Sequence, residues 1–174
     1  SVQQYPSDDC GLPWAHRGDP AAQRNLAHLY RMGLGVSQDF VQAASWYRLA
    51  ADSGLARAQA NLAAMYLRGQ GVAQDAKEAA FWFTSAATNG HDLAQYNLAL
   101  LYLRGEGVER SEAKAAGWLY LATKAGYEPA IRALARLVPA ISGPAGPPSP
   151  SSRPPSSSPS SPLASPPASQ QAGK

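Results

Sequence analysis

The chain of 174 residues has a single cysteine, no long apolar run and only a small excess of positive charge. Because Cys10 has no cysteine partner, an intrachain disulfide and a metal cage of thiolates are both excluded. No stretch approaches the roughly 18 apolar residues of a membrane-spanning helix. Of the net charge of +3, Arg153 and Lys174 contribute +2. A nucleic-acid-binding face needs clustered lysines and arginines, which the remaining charge of +1 does not indicate, so nucleic acid is not an expected partner.

The sequence also lacks a catalytic or metal-binding motif. His16, His28 and His91 occupy unrelated positions with no His-x3-His or His-Glu pairing, and we interpret them as surface side chains. Cys10 with His16 as its base would need a rigid scaffold, whereas both lie in an irregular leader. We therefore predict no catalytic, metal-binding or cofactor-binding residue.

What the chain does contain is a repeat of 36 residues. Gly18–Ser53 and Gly54–Asn89 share 17 identities, and Gly54–Asn89 and Gly90–Ala125 share 16. A unit this short cannot bury its own apolar face, so neighbouring units must stack into a continuous core. The repeat therefore predicts a solenoid.

Each unit contains two blocks of apolar residues at helical spacing, which predicts two amphipathic helices. A Gly-x-Gly-Val segment lies between them and supplies residues that end the first helix with a positive φ. The second helix is expected to begin after a side chain that accepts hydrogen bonds from free amide groups. These N-cap positions are Asp39, Asp75 and Ser111.

The composition divides the chain into three parts. An irregular leader occupies residues 1–17, and a repeat region occupies residues 18–138. Residues 139–174 form a tail in which 22 of 36 residues are proline or serine, and such a composition predicts disorder. Within the repeat region we expect three full units and a capping half unit that stops before Pro139, namely 18–53, 54–89, 90–125 and 126–138.

The string AQANLAAMYLRGQGVAQDAKEAAFWFTSAATNG resembles the Sel-one-like repeat (SLR) family, a relative of the tetratricopeptide repeats. The resemblance implies an all-α, right-handed superhelical solenoid of about three and a half helix-pair repeats. It also implies an adaptor that binds other proteins, with no common catalysis. A secreted, cysteine-rich branch of the family, reported as penicillin-binding, has paired cysteines in every repeat, and this chain has none.

Three asparagines, Asn25, Asn61 and Asn97, recur before the same leucine of the first helix. In related tetratricopeptide domains, an asparagine at this place hydrogen-bonds the backbone of a bound peptide, and the resemblance implies that role here. The alternative is that these side chains bond a neighbouring helix or loop. We interpret a second recurring set, Gln23, Gln59 and Gln95, first as contacts between helices.

Arg31, Arg68 and Arg104 lie near the ends of the first helices, where a cation stabilises the negative end of the helix dipole. If their side chains also reach the concave face, they would favour an acidic partner or a free carboxylate through forked hydrogen bonds.

The function we predict is that of a monomeric, non-enzymatic adaptor or scaffold that binds a protein or peptide on its concave face. One alternative is a cell-wall or β-lactam hydrolase like the cysteine-rich branch. A second is a self-assembling structural protein, which an exposed patch of Leu29, Met65 and Leu101 would favour. Because the chain begins with serine, we expect a periplasmic or secreted location, with a cytoplasmic one as the alternative.

Overall fold

A computed structural model describes residues 12–142 of the chain, and these residues form eight helices and no strand. In chain order the helices are α1 (Leu12–His16), α2 (Pro20–Met32), α3 (Phe40–Asp52), α4 (Ala56–Arg68), α5 (Ala76–Thr88), α6 (Asp92–Arg104), α7 (Glu112–Lys124) and α8 (Glu128–Ser142). The prediction of an all-α fold is confirmed. None of these eight helices is both long enough and apolar enough to cross a membrane. Cys10 and most of the predicted tail lie outside the described residues.

Each repeat is a pair of helices of 13 residues, α2 with α3, α4 with α5 and α6 with α7. The predicted N-caps of the second helices are confirmed. Asp39 accepts from the Gln42 amide at 3.0 Å, and Ser111 accepts from the Lys114 amide at 3.3 Å. Asp75 accepts two amides in the same way. The second helix of every repeat therefore starts at a position fixed by its own sequence.

The first glycine of each Gly-x-Gly-Val segment ends the first helix in the left-handed conformation, as predicted. The second glycine has a further role that the turn chemistry alone did not predict. A Cβ atom added to Gly71 would overlap the backbone carbonyl of Phe40, the first residue of α3. Gly107 lies in the same way against Ala76, the first residue of α5. The turn of one repeat thus packs directly on the second helix of the preceding repeat.

A buried glutamine joins each first helix to the second helix before it. Gln23 donates from Nε2 to the Ala15 carbonyl at 3.2 Å. The same bond recurs one repeat later between Gln59 and Ala51 at 3.1 Å and again between Gln95 and Ala87 at 3.1 Å. The interpretation of these glutamines as contacts between helices is confirmed.

Alanine forms the tightest helix contacts, and larger side chains fill the space between them. The recurring alanines of both helices are fully buried or nearly so, as at Ala58, Ala86 and Ala122. Tyr47 and Phe83 are the largest side chains that are almost completely buried. Small residues at recurring positions let helix backbones approach closely, so the aromatic rings occupy the wider gaps between pairs.

The leader is not irregular throughout, because residues 12–16 form α1. This short helix takes the place of the second helix of a preceding repeat. Its Ala15 is buried against Ala22 and Leu26 and supplies the carbonyl that Gln23 bonds. The prediction failed here because only one turn of the leader follows the repeat pattern.

The capping half unit also extends further than predicted, since α8 continues through Pro139 to Ser142. Inside a helix, proline removes its own amide hydrogen bond and its ring crowds the carbonyl four residues earlier. Pro139 is exposed, and only the last turn of α8 follows it. The predicted boundary at residue 138 is therefore wrong by one helical turn.

The packing of Gly71 leads to a prediction about stability. Replacement of Gly71 by alanine should lower the free energy of unfolding more than the same change at Gly90. Both glycines have a positive φ, 70° and 80°, which costs about 1–2 kcal/mol for an alanine. Nothing lies within 4 Å of an added Cβ at Gly90, whereas Gly71→Ala must also displace the α3 backbone, a further cost of about 1–3 kcal/mol.

Urea unfolding followed by circular dichroism measures both variants against the unchanged chain. Equal losses at the two positions would mean that the repeats can separate at this contact without a measurable cost.

Candidate partner-binding groove

A groove of about 420 Å³ lies on the face formed by the first helices of the three repeats. Its lining side chains come from α2, α4 and α6 and from His91, the residue that precedes α6. Its apolar lining residues are Ala60, Ala64, Met65 and Leu93, of which Leu93 is exposed and Ala60 and Met65 are almost completely buried. The second helices contribute none of the lining. The groove therefore lies on the face that we expected to bind a partner. We call it the arginine groove after the side chains described next.

Four arginines line the arginine groove, Arg24 and Arg31 on α2 and Arg57 and Arg68 on α4, and no acidic residue does. Arg24 donates to the side-chain oxygen of Asn25 at 2.6 Å. The buried Nε of Arg31 has no hydrogen-bond partner within residues 12–142. The three ion pairs found in this part of the chain involve other cations. The groove thus concentrates four positive charges that no described carboxylate neutralises.

A histidine on α2, His28, is also affected by this positive potential. His28 Nδ1 lies 3.4 Å from Nη2 of Arg31. Burial lowers the pKa of His28, and the charges of Arg31 and Arg24 lower it further. Burial disfavours any charge, but the contribution of the two arginines comes from a positive potential, which favours an anion.

The structure brings together four of the six residues that we predicted to contact a partner. Asn61, Asn97, Arg31 and Arg68 line the groove. Asn25 is exposed outside the groove lining, where it accepts the bond from Arg24.

Arg104 also lies outside the groove, with 62% of its side chain exposed and Nη1 4.0 Å from a Glu106 oxygen. It occupies the repeat position of Arg68, but α6 forms the edge of the groove, and the acidic side chain of its own turn lies beside it. The predicted ladder therefore extends over only part of the array.

Three polar lining residues were missed from the sequence, namely Arg24, Arg57 and His91. The repeat frame concealed them because their equivalent positions hold other residue types. The position of Arg24 is alanine in the second repeat and tyrosine in the third, and the position of Arg57 is alanine in the first and leucine in the third. The only indication in the sequence was a charged or ionisable residue at a position where other repeats have a different residue type.

His91 is the N-cap of α6 and not a simple surface histidine as we had interpreted it. Its Nδ1 accepts the amide of Ala94 at 3.2 Å. Burial lowers the pKa of His91, Asp92 opposes that shift, and the charge of Arg57 adds to it. The folded protein therefore favours the neutral ring, which is the form that can accept the capping bond.

The remaining candidates from the sequence form no site in the described part of the chain. His16 packs edge-on against Trp46, with ring centroids 5.2 Å apart. Within residues 12–142, no three side chains of His, Cys, Asp or Glu come together as metal ligands would.

The chemistry of the groove suits anion recognition, because guanidinium groups bind carboxylates through paired hydrogen bonds.

These helix pairs, stacked through recurring glutamine bonds, define an α-solenoid repeat protein. The model of the Sel1 repeat matches residues 20–55, 56–91 and 92–127. This is the same period of 36 residues, offset by two residues from our division. The chain belongs to the Sel1 repeat family.

Solved structures agree with this assignment. A Sel1 repeat protein from Oxalobacter formigenes is 37% identical over 72% of this chain and 95% of its own, with a TM-score of 0.68. The protective antigen c5321 of uropathogenic Escherichia coli, which has an SLR fold, is 35% identical over 67% of this chain and 25% of its own, with a TM-score of 0.65. The cysteine-rich protein B of Helicobacter pylori shares the fold, at 18% identity over 71% of this chain and 92% of its own, with a TM-score of 0.59. None of the curated proteins matches this chain.

The capping role of His91 predicts a dependence of stability on pH. The folded-state pKa lies below the ordinary value of about 6.5. The stabilisation is therefore complete above about pH 6.5 and is lost as the pH falls through the folded-state value. Asparagine also caps helices and does not titrate. His91→Asn should therefore reduce the fall in melting temperature between about pH 7.5 and pH 5.5.

Thermal unfolding followed by circular dichroism tests this expectation. His28→Asn is the comparison variant, because the pKa of His28 is also lowered. Protonation of His28 therefore also lowers the stability of the folded protein in acid. A fall of unchanged size in His91→Asn would contradict the capping role.

Proposed function

We propose that this chain is a non-enzymatic protein-interaction module whose arginine groove binds an acidic peptide segment of a partner protein. Sel1 repeat proteins are generally scaffolds for protein–protein interaction. The single observation that carries the finer proposal is the set of four groove arginines without an acidic residue among the lining side chains. A partner that supplies several carboxylates would neutralise these charges.

The rest of the lining suits a peptide better than a small inorganic anion. Asn61 on α4 and Asn97 on α6 are one repeat apart and both line the groove. A side-chain amide carries a donor and an acceptor, which matches the backbone of an extended peptide. Leu93, which is 41% exposed, adds apolar surface that the side chains or stems of a peptide can cover.

Two observations weigh against the alternative functions. Self-assembly was favoured only if Leu29, Met65 and Leu101 formed an exposed patch, but Met65 is 1% exposed and Leu101 is 2% exposed, and Leu29 packs against a core cluster. We therefore retain a monomer in the proposal. The cysteine-rich neighbour supports the fold only, and no cysteine pair exists in this chain that would link it to that branch. A hydrolase consequently has no support beyond the fold.

A periplasmic or secreted location is also part of the proposal. It rests on the sequence expectation alone, and fractionation of the source cells with immunodetection tests it. Detection in the cytoplasmic fraction only would remove this part of the proposal and leave the groove assignment intact.

The charge of the groove predicts how substitutions change binding. Arg57→Gln with Arg68→Gln should weaken the binding of a fluorescent hexa-aspartate peptide by about fivefold to tenfold, since exposed ion pairs contribute about 0.2–1 kcal/mol each. The same variant should also show a weaker dependence of affinity on salt. Fluorescence anisotropy at two ionic strengths measures both effects.

Arg104→Gln provides the matched control, because Arg104 occupies the repeat position of Arg68 but lies outside the groove. It should bind the peptide nearly as the unchanged chain does. Equal losses in the two variants would indicate a non-specific charge effect and would contradict the groove assignment.

The asparagines give a second, independent prediction. Asn61→Ala with Asn97→Ala should weaken binding of the same peptide, because each change removes a hydrogen bond to the peptide backbone, at about 0.5–1.5 kcal/mol per bond. The salt dependence should stay as it is, since no charge is removed. Asn89→Ala, which alters an exposed residue outside the groove lining, serves as the control, and helicity is checked by circular dichroism. A double variant that binds as tightly as the unchanged chain would place the peptide away from α4 and α6.

A further inference from the structure

His91 is both the N-cap of α6 and a lining residue of the arginine groove. Nδ1 accepts the amide of Ala94 at 3.2 Å and so caps α6. A nitrogen that accepts this bond carries no hydrogen, so in the neutral ring the hydrogen lies on Nε2. His91 is also close enough to Arg57 for its charge to act on the ring. Nε2 is therefore a donor that the cap does not use.

The residue type at this position matters because the equivalent positions hold Asp19, Leu55 and Tyr127. Asp19 caps α2 through its carboxylate, whereas Leu55 makes no side-chain cap for α4. An aspartate before α6 would cap the helix but would place a negative charge among the groove arginines. Histidine caps the helix without that charge and keeps a donor on its other side.

The charged groups that act on the ring come from two helices. Arg57 on α4 opposes protonation of His91, and Asp92 at the start of α6 favours it. Among the groove residues, the other charges are those of Arg24, Arg31 and Arg68, and all of them are positive. An anion that enters the groove screens these charges and adds a negative charge beside the ring.

We infer that His91 is an anion-contacting residue of the arginine groove, which donates Nε2–H to a carboxylate of the acidic partner and makes that partner bind more tightly as the pH falls. This inference rests on the proposed function of the groove.

Proton linkage fixes the sign of the effect. A carboxylate near the ring stabilises the imidazolium, so the complex takes up a proton that the free protein does not hold. Affinity must then rise as the pH falls below about 7. In the imidazolium both nitrogens are donors, so the cap bond to Ala94 is released and attraction to the bound carboxylate replaces it. Stability of the free protein and affinity for the anion thus respond to acid in opposite directions.

The experiment measures the affinity of the hexa-aspartate peptide by fluorescence anisotropy between about pH 8 and pH 5.5, at low ionic strength. Aspartate stays largely ionised over this range, since its pKa is about 3.9. The unchanged chain should bind about threefold to fivefold more tightly at the lower pH, the factor that one added charge at about 4 Å supplies in water. His91→Asn retains the cap and should bind with an affinity that varies much less with pH.

His28→Asn is the matched control, because His28 lies beside Arg31 but does not line the groove. It should keep most of the pH dependence. A second measurement follows the ring proton of His91 by NMR, and its apparent pKa should rise when the peptide saturates the groove.

The outcomes separate this inference from the proposed function. If the unchanged chain binds the peptide and His91→Asn shows the same pH dependence, the inference is overturned and the acidic-peptide function stays in place. The same holds if only His28→Asn loses the pH dependence. Absence of peptide binding by the unchanged chain at every pH overturns both. Loss of the pH dependence in His91→Asn, together with the rise in the His91 pKa, supports the inference.

Discussion

Each repeat of this protein is held to the preceding one by a buried glutamine amide that donates to a backbone carbonyl eight residues earlier. The acceptor lies near the end of a second helix, where carbonyls lack partners within their own helix. The bond recurs at the three junctions of Gln23, Gln59 and Gln95 and therefore fixes how each first helix sits on its neighbour. Since the groove is lined from three first helices, its shape depends on this ladder. The Oε1 atoms of the same glutamines find no partner within residues 12–142, so each amide serves this contact as a donor.

Features that recur in every repeat could be predicted from the sequence, because one physical requirement is met three times. The caps at Asp39, Asp75 and Ser111 and the glutamine contacts belong to this group. The ends of the array could not be predicted as well. At the N-terminus, a single turn supplies Ala15 as a substitute for a missing helix. At the C-terminus, α8 continues through Pro139 for one more turn, although proline disfavours a helix interior. Both features occur once in the chain, so a repeat pattern does not predict them.

The groove was predictable only in part for a related reason. Asn61, Asn97 and Arg68 recur in neighbouring repeats and were found through that recurrence. Arg24 and Arg57 break the repeat, and only the fold shows that they face the same groove. Residues that recur in every repeat are those that stacking of the repeats requires. Residues that differ between repeats are particular to this chain. The error at Arg104 has the same origin, since equivalence in sequence does not give an edge helix the surroundings of a central one.

The groove joins parts of the array that are otherwise connected only through their neighbours. In a solenoid each unit contacts the next, so the terminal units can open while the centre stays folded. An occupant held at once by Arg31 on α2 and by Asn97 on α6 would connect the first and third units directly. Opening of either terminal unit would then require the occupant to leave, which adds its binding free energy to the cost of fraying. Occupancy would thus make three semi-independent units unfold as one cooperative body, and the bound form would resist proteases that attack frayed ends.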